Sequence, residues 1–272
     1  MNKHDRSPPP PRGIVRAPAA DGLLDGRRML PGPALATYVH HFWSVRWALR
    51  APFVADTLPH PSAQITLVSA ARRPRAAVTG VHRGRVAGRL EGEGWKFGIT
   101  FRPAMFQPLL GASMTTITDR VVPLDEVLGP NAKIAAWTRA IAEARELEEK
   151  IAIAEAFLGP RLGPLPPTVV RLRDLVERMA GDRSILRVED VCQASLLDVR
   201  ALQRAFRTYV GVSPKWVIQR YRLHEAAAQL SRPQPPELAA LAASLGYADQ
   251  AHFTRDFKRM VGETPRSFAD LR

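Results

Sequence analysis

The chain has 272 residues, 46% of them hydrophobic, which is enough for two domains that each bury a core. No stretch approaches the ~18 consecutive apolar residues of a membrane span, and the opening MNKHDRSPPPPRG lacks a signal peptide's apolar run, so a cytoplasmic protein is expected. The formal net charge of +13 favours a polyanionic partner, and the single cysteine, Cys192, excludes an intrachain disulfide and reads as a packed thiol.

Residues 1–28 combine a four-proline run with many charges and little periodic apolar content, so a disordered tail is expected there. A short helix is expected from Pro33. Val39, His41, Trp43, Val45 and Trp47 then alternate with Phe42, Ser44 and Arg46, the period-2 pattern of a strand. Further strands are expected over 53–58, 64–68, 76–80, 84–90 and 94–101, the last with Trp95, Phe97, Ile99 and Phe101 on one face. Six short strands punctuated by Gly and Pro predict an antiparallel sheet that curls or closes like a barrel, making residues 29–158 an α+β domain with helices after the strands. Trp43, Trp47, Trp95 and Phe97 are its candidates for lining a small-molecule effector pocket, with plain core packing as the alternative. Adjacent residues on a strand point to opposite faces, so His40 and His41 are expected to diverge; with no other ligand spacing, no metal site is expected.

Helices are expected at 103–110 and just before Gly129, and residues 131–158 read as helical with a break near Arg145. That helix is available either for dimerisation or for covering the sheet. Gly159–Thr168 holds four prolines and two glycines, the composition of a stiff linker. The remainder, 169–272, is expected to be all helical. Its charge is not the larger share: from Thr168 onward there are 17 basic and 12 acidic residues, against 22 and 14 upstream. Residues 57–90 carry six arginines and no acid, a stretch that could touch phosphates, bind an anionic effector or form a solvated face.

Within 237–268, Leu238, Leu241, Ala242 and Leu245 recur at helical spacing and Gly246 supplies a turn. Asp249 is a suitable N-cap for a second helix that buries Phe253, Phe257 and Met260. Its other face carries Gln250, Ala251, His252, Arg255, Lys258 and Arg259, the donors and cations of a helix that enters a DNA major groove. Any solvated amphipathic helix shows a polar face, but the arrangement recurs upstream over 188–211. There Asp198 is the matching N-cap, and Arg200, Gln203 and Arg204, with Arg207 beyond them, lie opposite Leu202 and Phe206. Between the two units Ser213, as N-cap, and Pro214 start a helix reaching Leu230, ~27 Å long at 1.5 Å per residue.

The motifs G-V-S-P-K at 211–215, G-Y-A-D-Q-A-H-F-T-R-D-F-K at 246–258 and G-E-T-P-R at 262–266 resemble the DNA-binding domain of AraC/XylS bacterial transcription regulators. The resemblance covers about the last hundred residues and implies two helix-turn-helix units bridged by one helix, with double-stranded DNA and RNA polymerase as partners. The chain departs from it at Leu196, where the family usually has the turn glycine. Upstream, L-P-H-P-S-A-Q-I-T-L-V at 58–68, G-I-T-F-R-P-A at 98–104 and T-D-R-V-V-P-L-D-E-V-L-G at 118–129 resemble the uncharacterised sensor-type domain of a branch of such regulators, with Pro59-His60-Pro61 in place of Pro-Asp-Gly. By analogy that domain is expected to bind a small effector and to form a homodimer.

No G-x-S-x-G turn, phosphate loop or dinucleotide fingerprint occurs, so neither an enzyme nor a cofactor is expected. The competing reading is a DNA-binding protein with an architectural or protein-interaction role that needs no ligand.

Overall fold

The computed structural model describes residues 22–58, 60–69, 74–130 and 132–270. Six strands, β1 (Gly22–Met29), β2 (Val39–Thr57), β3 (Gln64–Ser69), β4 (Arg75–Thr79), β5 (Val86–Phe101) and β6 (Val121–Pro123), form one antiparallel sheet in the order β1-β2-β5-β3-β4-β6. Two pairs of expected strands are continuous: β2 runs through 53–57 and β5 through 86–101, with a register shift between Leu49 and Phe53 where the sequence suggested a break. The expected tail is corrected over its last seven residues. Its residues 22–28 belong to β1, which pairs with β2 from Gly22↔Leu49 to Met29↔Phe42; residues 1–21 lie outside the described residues. Pro33 opens a run of turns rather than a helix, closed by Val39 N–H donating to the Leu35 carbonyl at 2.8 Å.

Pairing across β2 and β5 sorts the side chains. Phe42 lies opposite Ile99, Ser44 opposite Phe97 and Arg46 opposite Trp95, so these share one face, while Trp43, Val45 and Trp47 lie opposite Gly98, Lys96 and Gly94 on the other. The first face, with Phe42, Phe97, Ile99 and Phe101 fully buried, packs under α3 (Ala132–Glu143) and α4 (Leu147–Leu158) through Ile134, Trp137, Ile141, Ile151 and Phe157. The helix break falls at 144–146, as expected, and Lys150 explains its geometry. Its buried ammonium donates to the Ile141 carbonyl and, at 2.7 Å, to that of Ala144, capping α3 from the next helix while lying over the Trp95 ring.

Short helices α1 (Gln107–Leu110) and α2 (Leu124–Leu128) close the sheet region. The helical region comprises α5 (Pro167–Gly181), α6 (Val188–Ser195), α7 (Val199–Ala205), α8 (Pro214–Leu230), α9 (Leu238–Ser244), α10 (Gln250–Val261) and α11 (Pro265–Asp270). Proline at the first helical position starts α5 and α8, where a missing N–H costs nothing.

The two regions share cores. Val81, Ala104 and Met105, from loops of the sheet region, pack with Val169, Leu172, Val176, Leu202 and Phe206. Leu58 does the same with Leu223, Leu230, Leu241, Phe253 and Phe257. Arg102 Nη1 meets Glu177 at 2.6 Å, and the Trp216 indole N–H donates to the Arg83 carbonyl at 3.3 Å.

Candidate nucleic-acid interface

The first helix-turn-helix is α6 and α7. At its entrance Asp190 accepts from the backbone N–H groups of Leu186 and Arg187 at 2.8 and 2.7 Å, satisfying donors that α6 would otherwise leave open. The turn is made by Leu196 at φ 57°, in the left-handed region a branched side chain avoids, with the side chain 93% exposed. Asp198 then caps α7, accepting from Ala201 N–H at 2.8 Å. Leu202 and Phe206 are fully buried, which turns Arg200, Gln203, Arg204 and Arg207 outward; all four are exposed. One feature has no sequence signature: α7 widens into a π-helical turn, Phe206–Val210, ended by Gly211 at φ 91° with its N–H donating to the Phe206 carbonyl at 2.8 Å. Cys192 is half-buried beside this core; burial, with Glu189 and Asp198 nearby, raises its thiol pKa, the opposite of a reactive thiolate.

The second unit is α9 and α10, with Gly246 at φ 72° in the turn. Asp249 accepts from His252 N–H at 2.6 Å. Phe253, Phe257, Met260 and Val261 face inward, and Gln250, Ala251, His252, Arg255, Lys258 and Arg259 are exposed. Sequence reasoning missed Asp256, a buried carboxylate on α10. It accepts from Arg259 Nη2 at 2.7 Å and stands 3.6 Å from His252 Nε2, while the Tyr247 ring lies edge-on to the imidazole at 5.2 Å. His252 is thus oriented by its own helix, and Arg259 is engaged within the protein.

Between the units a groove is lined by Arg187, Lys215, Gln219, Arg222, Tyr247 and His252. Lys215 and Arg187 are exposed there and were not among the sequence candidates, although Lys215 ends the G-V-S-P-K motif. Arg222 is turned inward, its guanidinium donating to the Leu186 carbonyl, so it braces α6 against α8.

The four aromatic side chains proposed for an effector pocket are not brought together. Phe97 and Trp95 lie on the helix-covered face of the sheet, and Trp43 and Trp47 on the opposite face. Trp43 covers Gly98, where an added Cβ would come within 2.0 Å of the indole Cε2, so the ring replaces the missing side chain of its cross-strand partner. The reason is register: β2 and β5 pair so that the odd-numbered Trp43 and Trp47 face the even-numbered Gly98 and Gly94 rather than Trp95 and Phe97.

The histidine expectation is also corrected. A register shift between Val39 and His41 forms a bulge, and the two imidazoles do not diverge: His40 Nδ1 and His41 Nδ1 are 2.8 Å apart. Among the described residues no group of three or more His, Cys, Asp or Glu side chains is placed to hold a metal ion, and no helix is long and apolar enough to cross a membrane.

Residues 191–270 match the family model described as a helix-turn-helix domain, and residues 27–123 match that of a domain of unknown function, DUF6597. No curated protein matches. Among solved structures, the chain is similar to a probable AraC family transcriptional regulator from Rhodopseudomonas palustris CGA009, at 28% identity over 37% of this chain and 95% of that one, with a TM-score of 0.33. A transcriptional regulator with an AraC-type DNA-binding domain from Chromobacterium violaceum is 22% identical over 37% of this chain and 90% of its own, TM-score 0.34. ToxT from Vibrio cholerae is 10% identical over 92% of this chain and 98% of its own, TM-score 0.42.

Proposed function

We propose that this chain, an AraC-type helix-turn-helix DNA-binding transcription regulator, lays α7 and α10 into successive major grooves on one face of a duplex and is controlled by a small effector through its sheet region. The observation that carries the reading is the paired construction. Two helices, each capped by an aspartate and each burying an apolar side, turn Arg200, Gln203 and Arg204 on one side and Gln250, Ala251, His252 and Arg255 on the other toward solvent. Arginine suits the O6 and N7 of guanine and glutamine suits adenine, whereas Ala251 offers only a methyl contact, so α10 reads fewer base edges than α7. Arg207 and Lys258 suit phosphates, as do Lys215 and Arg187 in the groove between the units.

The boundary we place at 159–168 separates a sensing region, 29–158, from the DNA-binding region, 169–272. Two recognition helices held by α8 about 34 Å apart call for a site in two parts, ~10 base pairs from centre to centre. RNA polymerase, a homodimeric state and a cytoplasmic location belong to the same reading.

Selection of binding sites from a random duplex library by the purified full-length protein tests it. A bipartite motif with that spacing is expected. Binding with no enriched sequence would instead favour an architectural DNA-binding role.

A further inference from the structure

Arg220 stands midway along α8 and is 0% exposed, yet Nε, Nη1 and Nη2 all lack a hydrogen-bond acceptor among the described residues. Its neighbours one turn away on the same helix face are engaged by the sheet region. Trp216, whose ring lies 5.0 Å from the guanidinium, donates to Arg83, and the ring of His224 lies 4.4 Å from that of His60. Arg220 therefore points into the seam between the two regions. Basic groups gather along the seam: His60 acts on His41, which the bulge has brought beside His40, and Arg28 acts on both, while the carboxylate there, Glu177, is paired with Arg102. Among the described residues no carboxylate offsets Arg220, and burial pushes its pKa down, to about 9.

A guanidinium is a planar fork of five donors matched to carboxylate and phosphate, and a buried charge without a partner destabilises the state that buries it. We infer that this seam is a binding site for a small anion, a carboxylate or a phosphate, gripped by Arg220 between Trp216 and His224. The inference rests on the reading of the chain as an effector-controlled regulator and gives that effector its chemical class. Because the donor belongs to the helix that bridges the two DNA-reading units and the site is closed by the sheet region, the anion enters only when the seam parts. Its binding then sets how the two regions are held together.

The test uses the full chain without DNA. The protein is melted in sodium benzoate, sodium phosphate and sodium chloride at matched ionic strength, and equilibrium dialysis with radiolabelled benzoate and phosphate measures binding directly. Benzoate or phosphate is expected to bind saturably and to raise Tm by about 5 to 10 °C at a hundredfold excess over its Kd, while chloride does not. The responding anion tells carboxylate from phosphate. Arg220→Met is expected to lose the shift and to melt at or above the anion-free wild type, since an apolar chain replaces an uncompensated buried charge. Equal melting in all three salts without saturable dialysis overturns the site, as does a shift that survives in Arg220→Met; dialysis of the wild type decides should that variant not fold. A negative result here leaves the site-selection experiment standing, and the converse also holds.

Discussion

The hydroxyl of Thr118, in the sheet region, donates at 2.8 Å to the carbonyl of Gly211, the residue that ends the helical run beginning with α7. Gly211 has φ 91°, and an added Cβ would lie 2.7 Å from Thr118 Oγ1 and 3.2 Å from Met114 Cβ. Gly211→Ala is accordingly expected to lower the free energy of unfolding by ~1–3 kcal/mol, through both backbone strain and the crowded contact. Thr118→Val, which removes only the donor, should cost about 1 kcal/mol. Urea midpoints at unchanged slope would establish the order; equal, negligible effects would mean that the two regions do not press on one another here.

Truncation to 168–272 should leave a fragment that folds and binds DNA, because both helix-turn-helix units and α8 lie within it. It should also be less stable and less soluble than the same residues in the full chain. Leu58, Val81 and Met105 are 1, 1 and 0% exposed among helical-region side chains, and each such burial is worth roughly 1.5–3 kcal/mol. Circular dichroism of the fragment checks the first claim, and its melting temperature beside that of the full chain checks the second.

Arg204→Ala is expected to cost ~1–3 kcal/mol at the selected site and to relax preference at one base position. Lys258→Ala should weaken all sequences alike and lower the salt slope by about one unit. Should Arg204→Ala give an unchanged sequence logo with uniformly lower affinity, Arg204 contacts phosphate instead.

Leu196→Gly should stabilise the protein by about 0.5–1 kcal/mol. The side chain is 93% exposed and its φ of 57° suits glycine, so relief of backbone strain outweighs the extra entropy of the unfolded chain. A lowered urea midpoint would show that Leu196 makes a contact worth more than its strain.

Acid should loosen the seam. Burial, then the positive field of His40, Arg28 and His60, pushes His41 down to about 3, well below the ordinary 6.5. Between those values the unfolded chain binds more protons than the folded one, so stability rises with pH across the window and is lost as pH falls below about 6.5. The contribution from one such group approaches ~1.4 kcal/mol per pH unit. His41→Gln should flatten the pH dependence of the urea midpoint between pH 6.5 and 4; an unchanged slope would assign the loss elsewhere.

Periodicity revealed what repeats. The face of β5 and the buried stripe of α10 follow from spacings of 2 and 3.6, and the break in 131–158 follows from its run of glutamates. A β-bulge is a single unpaired residue without its own composition, so the shared direction of His40 and His41 was not legible. The aromatic quartet failed for a related reason: which residue of β2 opposes which of β5 is set by pairing, and one residue of register exchanges the faces. Val81, Ala104 and Met105 lie in loops where no period marks them as core. Arg220 was hidden differently, because an arginine in a helix reads as solvated until the helix is found covered.

Strand β1 has a further bearing. Its Asp25, Arg27 and Arg28 put charge along the sheet's margin, and Arg27 is anchored by Glu148 at 2.7 Å and Glu146 at 3.6 Å. Charged margins deter two molecules from joining sheets edge to edge. A trimmed protein starting at Met29, the cut that reading residues 1–28 as a tail invites, would expose the hydrogen-bonding groups of β2 from Trp43 to Leu49, a segment holding two tryptophans. Such a protein is set to precipitate through strand addition even if every buried side chain of its core remains in place.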